Sequence, residues 1–307
     1  MNSEITIEGI DSAEESTKVE IDCGAASGGD LFTCEKRVTL KYLVFSFPAT
    51  SGSGTSGSRA NVASSALINA NTGSVSLTIE TCEFKRPGSG NNIGIHLVKV
   101  SAGSLRMTGV DCTDNTNSVS FSTTPFLVEG TTSTVTLTGL NLKKITSSAS
   151  AVVKMTSDAI TVTLDGCTFT ECNSNGETSG ALHVESGGTG STFKIGDTDK
   201  TTFTSCTCTN GKSGGIYLKM TGIASEKQLS WGTGVKLEFS ECNAAGSKIT
   251  GLYLDVPVGL HENIAKAMKS SFAKNYVRGT YDWYVAVKGA DGSADAVDFI
   301  TEYFDPE

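Results

Sequence analysis

Residues 167–184 read CTFTECNSNGETSGALHV, and residues 202–218 read TFTSCTCTNGKSGGIYL. In both stretches a Phe is followed by a Cys, then by a glycine-containing turn, and then by a short segment in which apolar and polar residues alternate. That alternation is the period of a β-strand, whereas a helix would repeat its apolar residues every 3.6 positions or so. The two stretches therefore predict two copies of one unit that is made of short strands.

The same unit recurs along most of the chain, in two columns of apolar positions that are spaced by roughly 27 to 36 residues. The first column is Phe84, Cys112, Leu142, Phe169, Phe203 and Phe239, and the second is Leu67, Ile95, Phe126, Val153, Leu182, Ile216 and Leu252. Units of about 30 residues that hold only short strands must stack to bury a core. We therefore predict an all-β parallel β-helix (a solenoid) of about eight rungs over residues 1–257, with strands of successive rungs paired at about 4.8 Å.

Segments with few apolar residues interrupt this period. Residues 48–65 read PATSGSGTSGSRANVASS and predict a mobile loop that leaves the rod. Smaller excursions are predicted at residues 187–200 and 221–232.

The pattern changes after Pro257. Leu260, Ile264, Met268 and Phe272 recur at helical spacing and predict a short amphipathic helix. Aromatic residues are concentrated in the same C-terminal region, among them Phe272, Tyr281, Trp283, Tyr284 and Phe304. Residues 258–307 are therefore predicted to form a C-terminal cap that hides the open edge of the last rung, or an assembly segment that contacts another subunit or domain.

The composition excludes several classes of protein. The chain of 307 residues has a formal net charge of −9 and no basic stripe with interleaved aromatic residues, so nucleic acid is not an expected partner. The sequence has no apolar run of about 18 residues and no apolar signal-peptide region near its start, so membrane insertion is not expected. No cofactor is predicted.

The three motifs Phe169-x-x-Cys172, Phe203-x-x-Cys206 and Phe239-x-x-Cys242, with the glycine-apolar segments that follow them, resemble the paired F-x-x-N and G-G-A-[ILV] repeats of the chlamydial polymorphic outer membrane proteins. Related β-helix repeats occur in large surface proteins of anaerobic protists. The likeness covers roughly residues 75–255, and residues 272–275 (FAKN) reproduce F-x-x-N literally. This chain has Cys where that family usually has Asn. The resemblance implies a right-handed β-helix, a structural or adhesive role, and an extracellular or cell-surface location.

The chain has nine Cys residues, of which Cys172, Cys206 and Cys242 occupy one column. Direct stacking would point their Cβ atoms the same way, so we interpret them as small buried side chains that fill a corner. A disulfide between Cys23 and Cys34 stays open as an alternative. No metal site is predicted, because residues 206–208 (CTC) have no second cysteine or histidine pair at a ligand spacing.

Alternation also predicts which side chains face outward. If Leu182 and Val184 point inward, then His183 and Glu185 point out. The same rule gives one outward row, His96, Leu127, Lys154, His183, Tyr217 and Tyr253, and a second row, Val98, Glu129, Thr156, Glu185, Lys219 and Asp255. The candidate ligand-binding face is His183, Glu185, Tyr217, Lys219, Tyr253 and Asp255. Such a face suits a glycan, with tyrosine rings packed on sugars and charged groups bound to hydroxyls.

Two hypotheses of function follow. The first is a non-catalytic structural or adhesive surface protein whose rods associate end to end, with strands near Ile5 and Ile7 meeting the C-terminal cap, or join neighbouring domains of a longer repeat protein. The second is a carbohydrate-active enzyme (polysaccharide lyase or hydrolase) or a glycan-binding lectin. Glu185 and Asp255 should lie two rungs apart, about 10 Å, beyond the separation of about 6.5–9.5 Å in inverting hydrolases. Lys219 between them would keep both ionised. No catalytic residue is assigned.

Overall fold

A computed structural model describes residues 4–9, 19–23, 30–46, 66–73, 75–85, 92–113, 118–233, 236–244, 251–272 and 285–287. These residues form an all-β parallel solenoid, the class of fold that the repeat predicted. The strands are β1 (Glu4–Glu8), β2 (Val19–Asp22), β3 (Phe32–Cys34), β4 (Arg37–Lys41), β5 (Leu43–Ser46), β6 (Ala66–Ala70), β7 (Ser76–Glu80), β8 (Glu83–Lys85), β9 (Asn92–Ile93), β10 (His96–Thr108), β11 (Asp111–Cys112), β12 (Val119–Phe121), β13 (Phe126–Thr138), β14 (Asn141–Lys143), β15 (Ile145–Ser147), β16 (Val153–Thr156), β17 (Thr161–Asp165), β18 (Thr168–Thr170), β19 (Asn173–Ser174), β20 (Leu182–Ser186), β21 (Thr192–Ile195), β22 (Thr201–Thr204), β23 (Thr207–Cys208), β24 (Ile216–Met220), β25 (Leu229–Ser230), β26 (Leu237–Ser240), β27 (Asn243–Ala244), β28 (Leu252–Asp255) and β29 (Val285–Val287). The helices are α1 (His261–Phe272) and two 3-10 helices, Glu226–Gln228 and Val258–Leu260.

The strands stack in four parallel ladders, and each complete turn of the chain passes through them in the order I, II, III, IV. Ladder I contains β1, β4, β7, the second half of β10, the second half of β13, β17, β21 and β25; ladder II contains β2, β5, β8, β11, β14, β18, β22 and β26; ladder III contains β9, β12, β15, β19, β23 and β27; ladder IV contains β3, β6, the first half of β10, the first half of β13, β16, β20, β24, β28 and β29. Ladders I and IV form one 15-stranded sheet, since β10 and β13 run through both.

The solenoid has about six complete turns, because ladder III has 6 strands. The first two turns contribute strands to ladders I, II and IV but none to ladder III within the described residues. The prediction of about eight rungs counted these two turns as complete and is too high by about two.

The first predicted apolar column is correct. Its members are buried and lie in successive strands of ladder II, where Phe169 pairs with Phe203 and Phe203 pairs with Phe239. The column also extends to Phe45, which pairs with Phe84. Their rings stack along the rod, with centroids 4.5 Å apart for Phe169 and Phe203 and 5.2 Å apart for Phe203 and Phe239. The recurrent Phe is therefore the central packing element of the core.

The second predicted column is wrong at its first two positions. Ile68 and Val98, rather than Leu67 and Ile95, continue the column of Phe126 in ladder IV. All four side chains are buried, so hydrophobic character alone does not identify which of them face the core column. A strand with period two places neighbours on opposite faces, and a shift of one residue or of three exchanges those faces.

Left-handed backbone conformations recur at two kinds of corner, between ladders I and II and between ladders II and III. One corner has Tyr42 (φ 53°) and Gly109 (φ 58°), and the other has Glu171 (φ 52°) and Ser205 (φ 51°), together with equivalent residues in other turns. The N–H groups of these residues donate hydrogen bonds to carbonyl oxygens of the next turn. For example, the backbone nitrogen of Glu171 lies 2.8 Å from the carbonyl oxygen of Thr204. Such a conformation costs a non-glycine residue about 1–3 kcal/mol, and the hydrogen bond between turns helps to hold it.

The two smaller predicted excursions prove to be parts of the solenoid. Residues 187–200 contain β21, and residues 221–232 contain a 3-10 helix and β25; both strands belong to ladder I. These segments contain the buried residues Phe193, Ile195, Leu229 and Trp231, which face the core. The Gly and Asp residues around them hid this alternation in the sequence. Residues 48–65, the predicted mobile loop, lie outside the described residues.

The predicted C-terminal helix is present as α1. Its Ile264 and Met268 are buried in the same hydrophobic cluster as the solenoid, and Leu260 packs against that cluster. β29 then adds to ladder IV beside β28. Of the predicted cap aromatics, Tyr281, Trp283, Tyr284 and Phe304 lie outside the described residues, as does the side chain of Phe272. The division at residue 258 into rod and cap stays a prediction.

Candidate functional site

The six candidate residues lie together in two adjacent rows of ladder IV. In one row His183 pairs with Tyr217, which pairs with Tyr253, and in the other Glu185 pairs with Lys219, which pairs with Asp255. Each row therefore crosses three successive turns on β20, β24 and β28. Lys154 and Thr156 of β16 continue the two rows by one turn.

His96 and Val98 do not belong to these rows. The strand position opposite Leu127 is Lys99, whereas His96 pairs with Ala66. Val98 is 1% exposed and faces the core. The cause is the wrong predicted register of β10 described above. It shifted the first member of both predicted rows by three residues. Lys99, which the sequence analysis did not place on this face, forms an ion pair with Glu129 at 3.1 Å.

Glu185 is the centre of a hydrogen-bonded cluster. One carboxylate oxygen lies 2.6 Å from Nζ of Lys219, and the other lies 3.2 Å from Nε2 of His183. The second ring nitrogen of His183, Nδ1, lies 3.2 Å from the hydroxyl of Thr178 in the corner that precedes β20. The charged and polar groups of this face therefore bind one another, as in a cross-strand ladder.

The aromatic residues of the face stack on one another along the rod. The His183 and Tyr217 rings are 5.0 Å apart at 85°, and the Tyr217 and Tyr253 rings are 5.3 Å apart at 3°. Tyr217 thus has a ring neighbour on both sides, and Tyr253 is only 6% exposed. Stacking on a sugar uses the face of an aromatic ring, and in this arrangement the neighbouring turns occupy the faces of Tyr217.

Burial determines the charge of His183. The residue is 3% exposed, and this burial, together with the charge of Lys154, lowers its pKa to about 4 despite the opposing effect of the Glu185 carboxylate. Burial opposes ionisation of Glu185 as well, but the hydrogen bond and charge of Lys219 and the contact with His183 outweigh it and lower the pKa of Glu185. At neutral pH the cluster is a neutral imidazole, a carboxylate and an ammonium group.

The tyrosines of the face are neutral at the same pH. Burial raises the pKa of Tyr217 to about 12, with smaller effects from Asp255, Tyr253 and Glu185. The hydrogen bond from Lys219 to Glu185 raises the pKa of Lys219. General acid–base catalysis works best with groups whose pKa lies near the working pH, and the shifts of His183, Glu185, Tyr217 and Lys219 all lead away from neutrality.

Acidification is expected to destabilise the protein through His183. The unfolded chain binds a proton at this residue below about pH 6.5, whereas the folded chain does not until about pH 4. The free energy of unfolding should therefore fall by up to about 3 kcal/mol on this account as the pH decreases across that window. Urea unfolding at about pH 7 and at pH 4.5 measures this fall in the free energy of unfolding. His183→Gln should lose less stability than the wild type between the two pH values. An equal loss in both proteins would contradict this prediction.

The structure places Cys172, Cys206 and Cys242 in one buried corner column. The thiols of Cys206 and Cys242 donate to carbonyl oxygens of the preceding turn, those of Phe169 and Phe203, both at 3.4 Å. Burial raises the pKa of Cys206, while a side-chain hydrogen bond with Cys206 and then burial raise the pKa of Cys242. Reactive cysteines need a lowered pKa and exposure, so this column is inert packing in the folded chain.

All nine cysteines are buried thiols and none forms a disulfide, including Cys23 and Cys34, so the disulfide alternative is not realised in this structure. In the described part of the chain no three His, Cys, Asp or Glu side chains come together as a metal site.

Over the same residues, no helix is long and apolar enough to span a membrane.

Comparisons with known proteins found no relative. No protein-family model, no curated protein and no solved structure matches the chain. The class of the protein, an all-β parallel β-helix, therefore rests on its own repeat and ladders.

Sequence reasoning named the strand near Ile5 and Ile7 as a contact between rods, but it did not find the corner contact of the candidate face or the exposure and charge pattern of the N-terminal end. Thr178 binds His183 from a corner whose path is not readable from strand alternation. The N-terminal end carries Ile5 (57% exposed) and Val19 (45%), the two exposed large hydrophobic side chains among the described residues. A signal for that end was present in the sequence, because EITIE at residues 4–8 and RVTLK at residues 37–41 have opposite charges at matching positions.

Proposed function

We propose that this protein is a non-catalytic structural or adhesive rod that joins other polypeptides end to end at a cell surface. The observation that carries the proposal is the location of Ile5 and Val19. Both lie on the outermost strands of the first turn, β1 and β2, whereas the described surface elsewhere has no exposed large hydrophobic residue. Exposed apolar side chains at an open strand edge are typical of a surface that pairs with another chain.

The two ends of the rod differ. At the C-terminal end, α1 contributes Ile264 and Met268 to the core and contacts the 3-10 helix of the last turn. At the N-terminal end, β1 pairs with β4 and β2 pairs with β5, and no described strand lies beyond them. This polarity favours association in which the N-terminal end receives a partner, as in a filament or between successive domains of a longer repeat protein.

The outward face of ladder IV supports a structural role over a catalytic one. Glu185 is held as a carboxylate by Lys219 and His183, whereas a glycosidase acid needs a raised pKa. The Tyr217 ring has neighbours on both sides, which leaves its edge for a glycan. Glycan binding at this face is the alternative hypothesis, and a glycan array in which binding is lost in Tyr217→Ala would favour it.

Sedimentation velocity over a concentration series tests the proposed assembly. The wild type is expected to form larger species as its concentration rises, and negative-stain microscopy of the same samples should show extended rods. Ile5→Lys is expected to remain a single rod, because a charged side chain in an apolar contact is costly to desolvate. Asn263→Lys, at an exposed position of α1, adds the same single positive charge away from the N-terminal end and is the matched control.

Single rods of wild type at every concentration would contradict self-assembly. Assembly that is equally strong in wild type and Ile5→Lys would place the contact elsewhere on the rod. Far-UV circular dichroism must show the same β-rich spectrum for all three proteins, so that a loss of assembly is not a loss of folding.

A further inference from the structure

The outer edge of β1 has a defined set of backbone groups. The N–H of Gly9 donates to the carbonyl oxygen of Lys41 at 2.8 Å, so Gly9 points toward β4. In a parallel pair, alternate residues direct both their N–H and C=O groups to the same neighbour. Ile5 and Ile7 therefore also point toward β4, and the backbone groups of Glu4, Thr6 and Glu8 point away from it.

The side chains of β1 already follow the interior pattern. Ile5 pairs with Val38 and Ile7 pairs with Leu40, and both partners are buried. Ile7 is half-buried, but Ile5 remains 57% exposed although it has the same strand parity. Both side chains are more exposed than Val38 and Leu40, because nothing among the described residues covers the first turn from above. An added strand with apolar residues opposite Ile5 and Ile7 would continue both interior rows.

Opposite charges face one another across the first strands of ladder I. Along one row Glu80 binds Lys41 at 2.8 Å, and Lys41 pairs with Glu8 in β1. Along the other, Arg37 of β4 lies 3.6 Å from Glu4 of β1. Each row thus ends at the N-terminal edge on a glutamate. The next position in each row favours a cation, because opposite charges directly across a strand pair stabilise it and like charges oppose it.

The same rule excludes pairing of two N-terminal edges with each other. A two-fold contact centred on Thr6 would place Glu4 of one copy opposite Glu8 of the other, twice. The neighbouring strand β2 adds another acid, Glu20, which is paired with Lys85 at 3.8 Å. The edge is therefore complementary to a strand of a different composition.

We propose that the outer edge of β1 binds, as an added parallel strand, a segment of another polypeptide with the pattern cation–apolar–any–apolar–cation. The two cations lie opposite Glu4 and Glu8, the two apolar residues cover Ile5 and Ile7, and the backbone of Glu4, Thr6 and Glu8 supplies the hydrogen bonds. β4, with the sequence RVTLK, has this pattern and already pairs with the inner edge of β1. The inference rests on the N-terminal edge that carries the proposed function, and it adds the chemistry of the partner.

A synthetic peptide tests the inference directly. The probe is KRVTLKY, the sequence of residues 36–42, labelled with a fluorophore and titrated with the full chain at a concentration where sedimentation shows single rods. The control peptide, EEVTLEY, has the same apolar residues with the charges reversed. The wild type is expected to bind KRVTLKY at least about tenfold more tightly than EEVTLEY, and added salt should reduce the difference.

Two sets of variants identify the edge that binds. Thr6→Pro removes an outward N–H and leaves the bonds to β4, so it is expected to abolish binding, whereas Thr6→Val retains the N–H and should bind as the wild type does. Replacing both glutamates, Glu4→Gln with Glu8→Gln, is expected to weaken binding of KRVTLKY roughly five- to tenfold. Circular dichroism and urea unfolding verify that each variant folds.

Equal binding of the two peptides, or binding that is unchanged in Thr6→Pro, would overturn the inference. Because the titration uses single rods, its result is independent of self-assembly. Tight charge-dependent binding without concentration-dependent assembly would support the edge chemistry and contradict end-to-end association of copies. Assembly without peptide binding would do the reverse.

Discussion

Replacement of Gly214 by Ala is expected to reduce the free energy of unfolding by about 3 kcal/mol or more, at or beyond the upper end of the usual range for overpacked cores. A Cβ atom at this position would lie 2.1 Å from the carbonyl oxygen of Cys206 and 2.5 Å from the backbone nitrogen of Asn243. Both are backbone atoms, of the corner before β23 and of β27, and they cannot rotate away as a side chain can. A residue without a side chain is thus required at Gly214 for space.

Urea unfolding measures this effect, and Gly187→Ala is the matched control. A Cβ atom at Gly187 would have no atom within 4 Å, so that variant should stay within about 0.5 kcal/mol of the wild type. If Gly214→Ala does not fold, the control still shows that alanine is tolerated where space is available. Gly214→Ala with wild-type stability would mean that the turns are further apart than described.

Phe203→Ala is expected to cost about 3–5 kcal/mol of unfolding free energy. Phe203 is 0% exposed, and its ring lies between Phe169, at 4.5 Å and 2°, and Phe239, at 5.2 Å and 25°. Its truncation would remove two stacked contacts and leave a cavity between the neighbouring turns. These turns are held by backbone hydrogen bonds and cannot move inward to fill that cavity.

Phe203→Leu separates the loss of volume from the loss of aromatic contact. It keeps most of the side-chain volume and is expected to cost less than about 1.5 kcal/mol when measured in the same urea series. A cost below about 1 kcal/mol for Phe203→Ala would show that the Phe column is not the central packing element of the rod. Equal costs for the two variants would assign the effect to ring stacking alone.

The repeat predicted the Phe column correctly because two independent columns lengthen together between residues 169 and 252. An extra loop residue shifts both columns equally, so the spacing itself shows which positions stack. The prediction failed near Leu67 and Ile95 for a physical reason. There β6 and the start of β10 are buried on both faces, and a strand without polar alternation does not reveal its register.

Alternation also placed His183, Tyr217 and Tyr253 on the outward side of ladder IV but did not reveal their burial. His183 and Tyr253 are 3% and 6% exposed, because residues of neighbouring turns and the preceding corner pack around them. The pKa of His183 and the pairing of Glu185 with both His183 and Lys219 follow from that packing. Alternation therefore grouped these residues on one side of ladder IV and anticipated the effect of Lys219 on Glu185, but it did not reveal the bond between His183 and Glu185; ligand binding at this face stays a prediction.

The N-terminal edge combines both kinds of information. The matching charges of residues 4–8 and 37–41 are readable in the sequence, but their register is a property of the folded ladder. Only the structure shows that Ile5 remains exposed while its row is buried further along the rod. The exposure depends on where the stack begins.

The sequence by itself determined that the chain forms a parallel solenoid, which residues form the Phe column, and that a helix follows residue 257. These are properties of periodic spacing along one chain, and stacking repeats them in space. Only the tertiary structure decided the register of β6 and β10, the buried state of His183, and the different closure of the two ends. Each of these depends on contacts between residues about 30 positions apart or on which described residues lie at the ends of the stack, and local alternation contains neither.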